Sequence, residues 1–444
     1  MLPDYLNQDG IRELMQTLDR EKAGNEHFSY SYDPVAKRLT IRGAEAFPAL
    51  YDFAELVEIL DMSHGYLSYL PADFHRMSHL KVAFFSHNDF EDVPVVLGRM
   101  GSLKVLGMKS CNIRAIPEDA LSESLRWLTL TDNKIERLPV SIRNVKDLEK
   151  LLLAGNRLSG LPAEIEECQR LALIRISANL FQASPLRALA HLPQLAWYAD
   201  AGNPFSPAPS NVPTREIPWN ELELAEILGE SAQNKVYKAR MSTGEEVAVK
   251  MYGGDVTSDG YAQDDMQASI AAGVHQHLIG AIGRIIGMPE GRNGLVLPLI
   301  PSHFHKLGQP PNLNTCSRDT FPADMSFSPN YILTVLQGVS QACGHLHSLG
   351  IMHGDIYAHN TLVNEQGHAY VGDFGSASFY DPRSDKQRQL IDVRAFGCLV
   401  DDLLNRCSDV DDARYQTLAD IREACLKEDF RERPTFQDIV DVLK

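Results

Sequence analysis

Between Gly350 and Gly375 the chain reads GIMHGDIYAHNTLVNEQGHAYVGDFG. Its polar residues are of the types that move a phosphoryl group. His353, Asp355 and Asn360 follow the spacing His-x-Asp-x-x-x-x-Asn, and Asp373-Phe374-Gly375 begins thirteen residues after Asn360. Phosphoryl transfer needs a carboxylate beside the attacking hydroxyl and further oxygen ligands for a magnesium ion. Asp355 suits the first task, Asn360 and Asp373 the second. The elements that must position them are a short loop and a hairpin. Thr361-Leu362-Val363 and Ala369-Tyr370-Val371 read as its strands, with Asn364-Glu365-Gln366-Gly367 as the turn.

The two motifs and the hairpin between them resemble the catalytic domain of eukaryotic-type protein kinases. The resemblance covers residues 219–444 and implies a two-lobed α+β domain that uses ATP and Mg²⁺. It also implies roles, residue by residue. Asp355 is the base or the hydroxyl-orienting carboxylate, and Asn360 and Asp373 are the magnesium ligands. Lys250 ends the strand Glu246-Val247-Ala248-Val249-Lys250, 21 residues after Gly229, and contacts the α- and β-phosphates. Gly229 opens the turn over the phosphates, with Ser231 and Asn234 where further glycines usually stand. Val236 and Ala248 line the nucleotide, Leu297 takes the gatekeeper place, and Ile300 ends the hinge stretch Leu295–Ile300.

Several positions depart from that pattern. The lysine's usual glutamate partner is absent, and Asp265, just ahead of a helical run at Gln267–Ala272, is the nearest candidate for the ion pair. An acid near a helix start also has the macrodipole as its reason. Gly354 replaces the arginine that commonly precedes the catalytic aspartate and reads a phosphate on the activation segment. Tyr357 replaces a lysine, and His359 stands where tyrosine kinases often carry arginine. No A-P-E phrase occurs in the sixteen residues between Gly375 and Asp392, which leaves Arg433 without its usual glutamate. Residues 301–329 read as a polar surface insertion.

The amino-terminal half repeats itself. Val57, Leu80, Leu103, Leu125, Leu148, Leu171 and Leu195 mark successive units 23, 23, 22, 23, 23 and 24 residues apart. The phrase L-x-x-L-x-L-x-x-N-x-L, clearest at Leu125–Pro139 and Leu148–Pro162, resembles leucine-rich repeats. Each unit makes one short strand whose inward leucines stack on the next unit. Asn88, Asn133, Asn156, Asn179 and Asn203 are expected to bond the turning backbone, with Cys111 and Gly65 in the same column. Ala36, Leu39 and Ile41 form a degenerate first unit. Ahead of the array, Ile11, Leu14, Met15 and Leu18 share one helical face, with Asp9 as the expected cap and Gly24 as the stop.

Side-chain alternation sends one residue per strand to the concave side: Ile59, Val82, Val105, Trp127, Lys150, Leu173 and Trp197. Six of these seven are apolar, so the column is expected to be an exposed stripe that binds a protein partner or the chain's own kinase half. The resulting organisation is a capping helix region at 1–35, leucine-rich repeats at 36–203, a proline-rich linker at 204–218 and a kinase domain at 219–444. The fold class is an α/β repeat solenoid followed by an α+β two-lobed kinase-like domain.

Composition limits the function classes. The chain has 444 residues, 44% hydrophobic and 23% charged, enough for sizeable cores. A net charge of −17 argues against nucleic acid as partner. Seven dispersed cysteines with no C-x-x-C pair fit a reducing compartment. Neither a signal peptide nor an apolar run of membrane-spanning length is visible, so a cytoplasmic protein is expected. The leading reading is an ATP- and Mg²⁺-dependent protein kinase, serine/threonine in preference to tyrosine. A pseudokinase scaffold that binds through its repeats and a small-molecule kinase are the alternatives.

Overall fold

The computed structural model describes residues 7–48, 50–189, 191–207, 214–230, 234–254 and 256–444. It divides into two compact units, residues 1–171 and 172–444. The division lies ahead of the proline-rich stretch 204–218, so the last two repeats fall in the same unit as the kinase-like segment. Pro209 and Pro213 of that stretch lie outside the described residues.

In the first unit a helix spans Gln8–Lys22 and buries Leu14 and Leu18 completely. Its cap is Asn7 rather than Asp9: the Asn7 side chain accepts the Gly10 N–H at 2.9 Å. Two polar residues suited to capping stand two apart, and the backbone turns at the first. A strand at Ser29–Asp33, which the repeat period does not show, pairs antiparallel with Arg38–Arg42. From Arg38–Arg42 onward the strands Ile59–Asp61, Val82–Phe84, Val105–Gly107, Trp127–Thr129 and Lys150–Leu152 pair parallel in sequence order. The chain returns between strands through short 3₁₀ segments such as Val95–Arg99 and Val140–Asn144, each entered from a proline. Proline suits that place because its fixed φ and missing N–H cost nothing at a helix start.

The asparagine column closes the turns as its chemistry predicts. Asn133 accepts the Cys111 and Ile113 N–H groups at 3.0 Å and donates to the Met108 and Leu130 carbonyls at 2.8 and 2.9 Å. Asn88 and Asn156 repeat the arrangement two turns earlier and one turn later. These side chains satisfy buried backbone groups that leucines could not.

The second unit begins with the repeat strands Leu173–Arg175 and Trp197–Ala199, parallel to each other. A six-stranded sheet follows, in the spatial order Glu216–Pro218, Gly283–Ile286, Gly294–Pro298, Glu246–Tyr252, Asn234–Met241 and Leu222–Glu230. Val247, Val249 and Val296 are fully buried at its centre. The helix on this lobe spans Ala262–Ala271, so Asp265 lies within its first turn instead of ahead of it. The remaining lobe is built on the helices Pro329–Ser348, Gln387–Leu404, Ala413–Cys425 and Phe436–Leu443. Thr435 and Asp438 form a reciprocal capping box on the last of these.

Residues 301–329 are not a mere surface insertion. His305–Lys306 adds a strand to the hairpin at Thr361–Val363, and Ser317 and Asp319 are buried against the loop that precedes it. Polar residues at 317 and 319 read as surface because their partners, the Tyr357 hydroxyl and His359, lie some forty residues away.

Candidate active site

The hairpin forms as the sequence implies, Thr361–Val363 against Ala369–Val371 with Thr361 opposite Val371 and Gly367 turning at φ +83°. Below it, fully buried Asp392 fixes the preceding loop. Its carboxylate accepts the His353 N–H at 2.7 Å and the Gly354 N–H at 2.9 Å, and lies 2.9 Å from His347 Nε2. His353 Nε2 is 3.1 Å from the Gly372 carbonyl, and the His353 and Phe374 rings pack at 5.6 Å. Two backbone amides thereby tie the Asp355 loop to Asp392, and the His353 ring ties it to the Asp373 turn.

Asp355 is largely covered. One carboxylate oxygen accepts from Asn360 Nδ2 at 2.7 Å, and the other meets the guanidinium of Arg175. The Asn360 amide nitrogen also donates to the Asp355 carbonyl at 3.0 Å, which leaves the amide oxygen as the atom able to ligate a cation.

Lys250 projects from the central strand, with its ammonium 2.6 Å from Asp265 and 3.7 Å from Asp373. Burial works against its charge, but the two carboxylates outweigh burial and hold the lysine well above its usual range. The same ammonium lowers Asp373. Asp265 is buried, whereas the Asp373 side chain is 58% exposed and faces the cleft. The shorter acid at 265 therefore reaches the lysine despite lacking a methylene relative to glutamate.

A cleft of about 600 Å³ gathers most of the nucleotide-site residues expected from the sequence. Val236, Ala248, Leu297, Ile300 and Leu362 give it apolar walls, and Lys250, Asn360 and Asp373 stand at its polar end. Gly229 and Asn234 also line it, and Ser231 lies outside the described residues. The set fits ATP with Mg²⁺: an apolar slot for a base, a fixed ammonium for phosphate oxygens, and two oxygen donors for a hard cation that keeps much of its own water.

Comparison with known proteins agrees with this geometry. Residues 222–396 match the family model described as the protein kinase domain, and residues 101–158 match the one described as leucine rich repeat. The chain joins leucine-rich repeats to a protein kinase domain. Among relatives, a "Probable LRR receptor-like serine/threonine-protein kinase" of Arabidopsis thaliana is 30% identical over 185 residues, 38% of this chain and 28% of the relative. A "Probable serine/threonine-protein kinase" of Dictyostelium discoideum is 30% identical over 169 residues, 37% of this chain and 10% of the relative. The chain thus spans under a third of the length of these two relatives. A solved leucine-rich-repeat protein structure from Leptospira interrogans is 27% identical with a TM-score of 0.33, covering 34% of this chain and 40% of that one. Among the described residues no helix is long and apolar enough to cross a membrane.

The repeat column differs from its expected exposure. Ile59, Val82, Val105, Trp127 and Lys150 do stand in register, as do Leu173 and Trp197. Yet Val82, Val105, Leu173 and Trp197 are buried, and Ile59 and Trp127 are partly covered. Side chains stacked at strand spacing shield one another, and Lys150 Nζ lies 4.0 Å over the Trp127 ring. Trp197 has a definite internal partner. Its ring stacks on Tyr357 at 4.4 Å and 3°, and its indole N–H donates to the Ile356 carbonyl at 3.1 Å.

Arg175, Asp259 and Asp392 belong to the site although the sequence reading did not select them. Arg175 occupies the second outward position of its strand, equivalent to Asp61, Phe84, Gly107, Thr129 and Leu152 in earlier units. The available signal was a loop, HGDIYAHN, with no lysine or arginine beside its carboxylate. Arg433, expected to lack its glutamate, donates instead to the carbonyls of Lys427, Leu390 and Pro193 at 2.8, 2.9 and 3.3 Å.

Proposed function

We propose that this chain transfers a phosphoryl group from ATP, with Mg²⁺, to a serine or threonine hydroxyl of a protein, and that the repeats before Ala172 recognise a protein partner. The observation that carries the reading is the Lys250–Asp265–Asp373 cluster at the polar end of an apolar cleft, with Asn360 on its rim. Bound ATP with Mg²⁺ would supply the electrophilic phosphorus and the charge neutralisation. Lys250 would hold phosphate oxygens, Asn360 and Asp373 would hold the cation, and Asp355 would orient the acceptor hydroxyl and take up its proton. Reduced cysteines fit the cytoplasmic location this reading carries.

Purified chain with γ-labelled ATP and Mg²⁺ tests the reading, scored for label on itself, on a generic protein and on small hydroxyl compounds. Label on protein serine or threonine is the expected result. Label only on small compounds would shift the substrate class, and nucleotide binding without any transfer would favour the scaffold.

A further inference from the structure

The catalytic loop and the last two repeat strands are joined residue by residue. Arg175 donates to the Gly354 carbonyl at 3.0 Å and to one carboxylate oxygen of Asp355. Trp197 donates to the Ile356 carbonyl and stacks on Tyr357. Four consecutive loop residues are therefore held by two side chains from neighbouring strands. The backbone fits as closely. Gly354 has φ +72°, and a Cβ there would stand 2.3 Å from the Tyr198 carbonyl and 2.7 Å from that of Ser376. No side chain could occupy position 354 while this contact exists.

Arg175 is itself fixed. Its side chain is 3% exposed, and Nε donates to Asp259 at 2.9 Å; the same Asp259 oxygen accepts the Ser376 hydroxyl at 3.1 Å. Burial opposes the guanidinium charge, but Asp355 and Asp259 outweigh it and keep the group protonated. A planar donor fork held at both ends can set the plane of the carboxylate it touches. The loop 353–360 carries no lysine or arginine that could do this from within.

We propose that Arg175, a repeat residue, is a positioning residue for phosphoryl transfer: it sets the orientation of the Asp355 carboxylate, and the last two repeats are part of the catalytic apparatus. The inference rests on the kinase reading above. It also opposes the other role a cation on Asp355 could have, that of a plug which must leave before transfer begins.

The experiment compares full-length wild type with Arg175→Ala, Arg175→Lys and Asp259→Asn, using labelled ATP, Mg²⁺ and a generic protein acceptor. Circular dichroism and nucleotide-induced thermal shift serve as folding controls. Arg175→Ala is expected to lower kcat about 100-fold, the scale of a misplaced reacting group, with KM for ATP within about threefold. Arg175→Lys should recover about a tenth of the wild-type rate, because a point charge replaces part of the fork, and low guanidinium should restore part of the Arg175→Ala rate. Asp259→Asn, which leaves Arg175 in place but loosens it, should lower kcat less and in the same direction. Wild-type kcat in a folded Arg175→Ala, or a rise above it, overturns the proposal while the kinase reading stands. A fall in which KM changes as much as kcat, without rescue by lysine or guanidinium, assigns Arg175 to the fold alone and also overturns it. If wild type itself transfers nothing, the kinase reading fails first and takes this proposal with it.

Discussion

Arg388 grips Asp200 through two guanidinium nitrogens, each 2.7 Å from a carboxylate oxygen, with both side chains at 2% exposure or less. The Tyr198 hydroxyl donates to the same carboxylate at 2.7 Å, and Arg388 also donates to the Ser378 hydroxyl at 2.9 Å. The pair therefore links the last repeat strand, the segment after Gly375 and the helix Gln387–Leu404. Removing Asp200 leaves the buried Arg388 guanidinium with one remaining carboxylate, the partly exposed Asp385 at 2.9 Å. Asp200→Ala is expected to cost about 3–5 kcal/mol of stability, read from the midpoint of denaturant unfolding. The double variant Asp200→Leu/Arg388→Met should be closer to wild type than either single change. A loss below about 1 kcal/mol in Asp200→Ala would show that the pair contributes little.

Asp373, which lines the cleft, and Asp355, which stands outside its lining, meet separate demands. Asp373→Asn should abolish Mg²⁺-dependent transfer while the fold persists, because the amide lacks the charge that attracts a hard cation. Asp355→Asn should lower kcat by two orders of magnitude or about that, with nucleotide affinity nearly unchanged. Rates and nucleotide-induced thermal shifts in parallel separate the two. Wild-type rates in both variants would remove these residues from the chemistry.

Transfer should not require phosphate on the segment after Gly375. Ser376, Ser378 and Tyr380 are buried, and Ser378 is already bonded to Arg388. Gly354 offers no side chain to read a phosphate. Phosphatase treatment of purified protein should leave the initial rate within about twofold. A large loss traced to Ser376, Ser378, Tyr380 or Ser384 would refute this.

Much of this arrangement is legible in the sequence. The period near 23 residues locates the strands, and Gly367 with its flanking apolar alternation locates the hairpin. Lys250 and Asp265 are fifteen residues apart on adjoining elements, so their pairing could be anticipated even with an unusual acid. Arg175 and Asp355 are 180 residues apart. A sequence displays the cation on one strand and the cation-free loop elsewhere, but nothing in either period or spacing joins them. Helix ends fail for a smaller reason: Asn7 and Asp9 can both cap, and only the backbone's path selects one.

Asp264 gives a pH test of the packing beside the cleft. Burial raises its carboxyl to about 6, and one of its oxygens has no hydrogen-bond partner. The unfolded chain would release this proton near the usual 3.8, so between about 4 and 6 the folded state binds more protons and stability falls as pH rises. Above that window the cost is complete. Asp264→Asn should therefore raise the melting temperature at pH 7 to 8 and change it little near pH 3.5. An equal effect at both pH values would place its origin elsewhere.

The burial of Trp197, on the last repeat strand, against Tyr357 bears on how such a protein could be reshaped. Solenoids ordinarily change length by duplicating or losing whole turns, since each turn touches only its neighbours. Here that freedom ends at Leu171. Any duplication, deletion or graft that displaces Trp197 or Arg175 also dislodges a loop more than 150 residues further along the chain. An ancestral insertion of repeats, or an engineered exchange of binding specificity, is confined to the turns before Ala172. A fragment starting in the proline-rich stretch would keep the whole matched kinase segment and still lack Arg175, Trp197 and Asp200.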